Sequence, residues 1–277
     1  MTTEAATRTA STATSGVPVR LDDVSVEFPA AGEPLQAMRG LSLDIPAGSL
    51  TVVIGPNGCG KSTLLRVIAG LVRPSRGQVL VGDGPGVALR AGDGRVGLAF
   101  QQPRLMPWLT TLDNVALPLT LAGERAEEAR ERARSALERV GLADAAATRP
   151  SQLSGGMAQR AGLARALITD PPVLLLDEPF SALDALTREG FDGELQALWM
   201  DRPRTVVLVT HSVGEAIRMA DRIVVMTARP GSLAREIPVD LPRPRPASAA
   251  SAPDLDAAVR AALAEVHPPE LTPWVDR

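Results

Sequence analysis

The chain has 277 residues, is 45% hydrophobic and carries a formal charge of -3, enough apolar content for one sizeable core or two modest ones and far from the disordered range. That slightly acidic balance gives no reason to expect nucleic acid, which usually selects a basic face, and nucleic acid is set aside as a partner. One cysteine, Cys59, excludes an internal disulfide and a cysteine-rich metal site and suits a reducing compartment such as the cytoplasm.

Residues 1–18 are rich in Thr, Ala and Ser and are expected to form a disordered tail without the apolar centre of a secretion signal. No later run reaches the roughly 18 apolar residues of a membrane-spanning helix. Apolar runs predict strands at Val24–Phe28, Leu41–Ile45, Thr51–Ile54, Val96–Phe100, Val173–Asp177, Thr205–Thr210 and Ile223–Met226. Helical patterns separate several of them, which argues for an α/β fold with a largely parallel sheet and an antiparallel β layer formed by the early strands. Between about 103 and 172 the pattern turns helical: Ala126, Ala129, Ala133, Leu137 and Val140 share one face, as an inserted helical subdomain would require. The main domain is expected over 19–238. Residues 239–277 read as a Pro-rich linker and a short helix, capped by Asp254 and apolar at Leu255, Val259, Ala262, Leu263 and Val266, that docks on another element.

The densest chemistry lies at Gly55-Pro56-Asn57-Gly58-Cys59-Gly60-Lys61-Ser62-Thr63, after one apolar strand and before a helical run. This is the context a phosphate-binding loop needs. Its glycines let backbone N–H groups turn towards phosphate, the helix adds its positive end, and Ser62 supplies an oxygen for Mg²⁺. Of 29 basic residues Lys61 alone is lysine, and a compact ammonium fits inside a tight loop where a guanidinium fork does not. Cys59 is read as a small spacer; a lowered thiol pKa would make it reactive instead.

Asp177-Glu178 ends the most hydrophobic strand, so both carboxylates belong at the sheet edge where open α/β folds bind ligands. Asp177 would face the metal and Glu178 the attacking water. Leu153-Ser154-Gly155-Gly156-Met157-Ala158-Gln159-Arg160 opens another helix, and is readable either as a second phosphate-binding element or as a Ser-capped helix start with closely packed glycines.

With Asp177-Glu178-Pro179, Ser181-Ala182-Leu183-Asp184 and His211 following in order, the chain resembles the ATPase subunits of ABC transporters from about Leu21 to Met226. The resemblance implies a P-loop NTPase core, ATP and Mg²⁺ as cofactors, and a head-to-tail homodimer in which Ser154, Gly155 and Gly156 close on the ATP of the partner subunit. It also implies that Phe28 stacks on adenine, that Gln101 senses Mg²⁺ and water, that His211 contacts the γ-phosphate and steadies Glu178, and that Asp184 couples the two sites. Arg104-Leu105-Met106-Pro107-Trp108-Leu109-Thr110, Leu112-Asp113-Asn114-Val115 and Ala228-Arg229-Pro230-Gly231 are similar to the nitrate, sulfonate and taurine importer branch. That branch implies a peripheral subunit at the cytoplasmic face of the cell membrane, bound to permease subunits around Trp108 and served indirectly by an extracytoplasmic solute-binding protein. Two other readings are disfavoured on motif grounds: a soluble ABC ATPase acting on ribosomes or DNA, for which the chain lacks fused ATPase halves and sustained heptads, and a P-loop small-molecule kinase, in which Leu153 to Arg160 would have no function.

Overall fold

The computed structural model describes residues 16–82, 92, 94–179, 193, 195–197, 199–246 and 252–266. Among them, β1 (Val19–Phe28), β2 (Leu35–Ile45) and β4 (Arg76–Val81) form an antiparallel sheet in the order β2-β1-β4. A second sheet runs β5-β6-β7-β3-β8-β9 and contains β3 (Leu50–Ile54), β5 (Val96–Ala99), β6 (Val173–Asp177), β7 (Thr205–Val209), β8 (Arg222–Met226) and β9 (Leu233–Pro238). All its neighbours are parallel except β8 and β9.

Every residue of β3, β6 and β7 is buried, which is why these strands read as unbroken apolar runs rather than alternating ones. Their side chains nevertheless alternate between two cores. Val52, Ile54, Leu174, Leu176, Val206 and Leu208 point to one face; Val53, Val173, Leu175, Val207 and Val209 point to the other. The second face is covered by α1 (Lys61–Ile68) and the antiparallel sheet. The first is covered partly by α5 (Val213–Met219) and α6 (Pro253–Val266). A third core, separate from both, joins α2 (Thr111–Leu121), α3 (Ala126–Arg139) and α4 (Gly155–Leu167) through Val115, Leu119, Ala133, Leu137 and Ala161.

Strands β4 and β9 were not predicted by the sequence pattern. The first three residues of β4 are exposed and β9 buries only Ile237, so neither carries the apolar period of a strand. The tail also orders earlier than position 19: Thr205 Oγ1 donates to Val17 O at 2.6 Å and Gly82 N to Pro18 O at 3.0 Å.

Residues 239–246 of the Pro-rich segment form a packed strap, not a linker. Val239 is buried in the first core. Arg245, 5% exposed, donates to the carbonyls of Ile217 at 3.1 Å, Val239 at 3.2 Å and Leu241 at 2.8 Å, and also to that of Ala220. Its guanidinium thus satisfies carbonyls at the C-terminal end of α5, where a cation is favourable. Burial, with Arg243 nearby, pulls its pKa down to about 10, which leaves it charged at neutral pH. Beside it Arg243 pairs with Asp221 at 2.6 Å and lies over the Trp199 ring at 4.6 Å. Further along the chain α6 begins at Pro253, with Asp254 inside its first turn instead of capping it. Val259 and Ala262 then seat α6 against the first core, which identifies the surface the amphipathic pattern called for.

Arg245→Ala leaves several buried carbonyls without a donor and is expected to lower the unfolding free energy by roughly 3 kcal/mol, measured by equilibrium denaturation in urea.

Candidate active site

The loop between β3 and α1 holds a conformation that depends on glycine where Gly60, at φ 102°, precedes the helix; a Cβ there would come within 3.0 Å of Ala37 O. Lys61, 7% exposed, folds over its own loop and donates to Gly55 O at 2.9 Å and Pro56 O at 3.1 Å. Cys59 is fully buried. Burial pushes its thiol above the ordinary value against the pull of Lys61, so it packs as a spacer and offers no reactive thiolate.

Ser62 Oγ donates to Asp177 Oδ1 at 2.9 Å, which brings the first turn of α1 to the end of β6. Burial is the main cause holding the Asp177 carboxyl above its usual range, while the Ser62 hydrogen bond works in the opposite direction. A buried carboxylate beside a hydroxyl is an all-oxygen donor pair that suits a hard cation such as Mg²⁺, and the cation would favour the ionised carboxylate.

One residue further, Glu178 adopts φ 45°, a conformation rarely seen in a non-glycine side chain and often found where function over-determines the backbone. Its N–H donates to Val209 O at 2.9 Å. Gln101 Nε2 donates to Glu178 Oε2 at 2.7 Å, and His211 Nδ1 lies 3.7 Å from the same oxygen. The ends of β5 and β7 therefore bring Gln101 and His211 to the Glu178 carboxylate at the end of β6. Phe28, half-buried at the end of β1, lines a cleft of about 270 Å³ with Asn57, Lys61, Ser62 and Glu178.

Ser154 is placed differently. Its Oγ accepts from Met157 N at 3.3 Å and caps α4, Ser154 and Gly155 are exposed and Gly156 is half-buried, and none of the three lines the cleft around Lys61. The same helix is tied to the Gln101 loop: Gln159 Nε2 donates to Phe100 O at 3.3 Å and Arg165 Nη1 to Arg104 O at 2.9 Å. Asp184 lies outside the described residues.

Three features of the site escaped the sequence reading. Thr210 Oγ1 donates to buried Glu215 at 2.7 Å and accepts from Ser212 N at 3.0 Å, which pins the backbone on both sides of His211. The Ser212-x-x-Glu215 spacing was a usable helix-start signal. Arg229 Nε donates to Gly58 O at 3.1 Å, although the Ala228–Gly231 segment stood out only as a mark of the importer branch. Gly231 sits so close to the phosphate loop that a Cβ would lie 1.9 Å from Cys59 O.

Residues 38–181 match the ABC transporter family. The chain is 46% identical over 220 residues to the taurine import ATP-binding protein of Pseudomonas aeruginosa, which covers 79% of this chain and 82% of that one. It is 49% identical over 210 residues to an aliphatic sulfonates import ATP-binding protein of Mesorhizobium japonicum, covering 75% and 76%. Among solved structures, a dimeric ATP-binding cassette in a post-hydrolysis state, bound to ADP and Pi, matches with a TM-score of 0.72 and 34% identity over 80% of this chain and 99% of that chain. The chain belongs to the ABC transporter family, and within it is an ATP-binding cassette that hydrolyses ATP with Mg²⁺.

Gly231→Ala must displace the loop at Cys59 and is expected to cut ATPase turnover about 10²-fold, the usual scale for a displacement of about 1 Å at a reacting centre. Steady-state phosphate release from a variant that still unfolds cooperatively is the check.

Proposed function

We propose that this cassette energises uptake of a small sulfonate-like anion, working as a homodimer on separate permease subunits at the cytoplasmic face of the cell membrane. A solute-binding protein on the far side would deliver the anion to the permease. Support for the substrate class comes from the taurine and aliphatic sulfonate import subunits, each similar over three quarters or more of this chain. For docking on the permease, support comes from Trp108, a large apolar side chain that is 69% exposed beside the loop of Gln101.

The observation that carries the catalytic reading is the convergence of Gln101 and His211 on Glu178 Oε2. In this reading Glu178 orients and deprotonates the attacking water, and its two neighbours hold the carboxylate in place. The N–H groups of Gly55 to Thr63 and the Lys61 ammonium bind the phosphates, and Phe28 stacks on the base. Ser62, Asp177 and the side-chain oxygen of Gln101 hold Mg²⁺, which, when bound, neutralises charge on the phosphate oxygens. Ser154, Gly155 and Gly156 complete the site on the partner subunit, and Asp184 links the two sites. The exposure of Ser154 and Gly155 in one chain supports that division, because small residues around an exposed helix N-terminus suit an approaching phosphate.

Glu178→Gln is expected to bind ATP but hydrolyse it about 10² to 10⁴ times more slowly, the scale of a positioned general base, and to accumulate as an ATP-bound dimer in light scattering. A variant that hydrolyses ATP at the native rate, or stays monomeric with ATP at every concentration reached, contradicts the proposal.

A further inference from the structure

We propose that Arg229 is a second cation for the phosphate chain of the nucleotide, brought to the cleft by the turn that follows β8. The inference rests on reading the cleft as an ATP site and assigns it a residue outside the phosphate loop.

Strand pairing sets the location. β8 runs parallel to β3 with Ile54 opposite Val225, so the chain leaving β8 emerges beside the chain leaving β3 for the phosphate loop. The turn is then fixed to its surroundings at several points. Gly231 N donates to Ala37 O at 3.0 Å, Arg39 N donates to Gly231 O at 3.0 Å, and Thr227 N donates to Ser232 O at 2.9 Å. Thr227 Oγ1 also donates to Pro230 O at 3.2 Å and accepts from Ser232 N at 2.9 Å. With no room for a Cβ at Gly231, the backbone that carries Arg229 has little freedom to move away.

The side chain lies against the loop itself. Arg229 lines the same cleft as Phe28, Lys61 and Glu178, and its Nη2 comes within 2.8 Å of where a Cβ would stand on Gly58. Its Nε is used by Gly58 O; among the described residues its two terminal nitrogens have no acceptor and no carboxylate within ion-pair distance. Meanwhile the only lysine of the chain places two of its three N–H donors on Gly55 O and Pro56 O. A polyphosphate in this cleft therefore meets a permanently charged fork held at one corner, with its remaining donors free to take phosphate oxygens.

Two variants separate this role from that of a brace acting only through the hydrogen bond to Gly58 O. Arg229→Lys keeps the charge and loses the Nε donor; Arg229→Gln keeps a donor and loses the charge. Equilibrium binding of ATP, ADP and AMP at low and moderate salt, with native protein as reference, is the experiment. Arg229→Gln is expected to weaken ATP and ADP about 10-fold, as for one partly exposed charge-assisted contact, to weaken AMP less, and to show a shallower salt dependence. Arg229→Lys, which keeps the charge but not the fork, is expected to lose less ATP affinity than Arg229→Gln and to keep the native salt dependence. Overturning outcomes are native affinity in Arg229→Gln, or equal losses for all three nucleotides in both variants with unchanged salt dependence. Native protein that fails to bind ATP would remove the ATP-site reading and this inference with it, a result distinct from a failure confined to the Arg229 variants.

Discussion

The site is held together by the parallel pairing of three strands buried on both faces. Val53 and Asp177 both stand opposite Val209 on β7, so the chains leaving β3, β6 and β7 emerge side by side. Those exits begin with Gly55, Glu178 and Thr210. The strands lie inside two apolar cores, where their backbone groups must pair with one another, so the register is strongly specified. The phosphate loop, the two carboxylates and the histidine thus come together because the strands before them cannot slip. Even the unusual conformation of Glu178 is tied to this ladder through its N–H on Val209 O.

Around that sheet, groups that no single motif contains hold the site from outside. On one side, the turn after β8 presses Gly231 against Cys59 and ties Ala37 of β2 to the loop. The antiparallel sheet that carries Phe28 is joined there to the loop that carries Lys61. On the other side, Arg245 gathers the carbonyls at the end of α5, whose N-terminus follows His211 through Ser212. The C-terminal strap therefore braces the helix that begins at the histidine. Glu215 completes the link, since it reaches from the same helix to Thr210.

Sequence alone reveals the parts whose signal is local. β3, β6 and β7 are legible as continuous apolar runs, and Lys61, Ser62, Asp177 and Glu178 stand within contiguous motifs. β4 and β9 are not legible, because a strand that buries one or two side chains leaves no period to detect. The strap is misread for another reason: Pro-rich composition suggests an unpacked chain, while Arg245 is anchored by backbone carbonyls that any sequence could supply. Arg229 falls in the same class: it acts on Gly58, a neighbour brought close only by folding, and no spacing along the chain records that proximity. The turn at Ser154 is legible as a motif, yet among the described residues it stands apart from the cleft around Lys61, and the proposed reading completes it with a second copy of the chain.

That incompleteness calls for mixing two crippled chains. Lys61→Ala removes the phosphate cation and Ser154→Arg blocks the exposed turn, so each variant alone is expected to hydrolyse ATP negligibly. Mixed in equal amounts, they form a dimer in which one composite site has an intact Lys61 from one chain and an intact Ser154 from the other. Recovery of ATP hydrolysis on mixing, absent from either variant alone, is the result the proposed shared site predicts. A mixture as inactive as its components, or Ser154→Arg turning over ATP at the native rate by itself, would contradict a site shared between two copies of the chain.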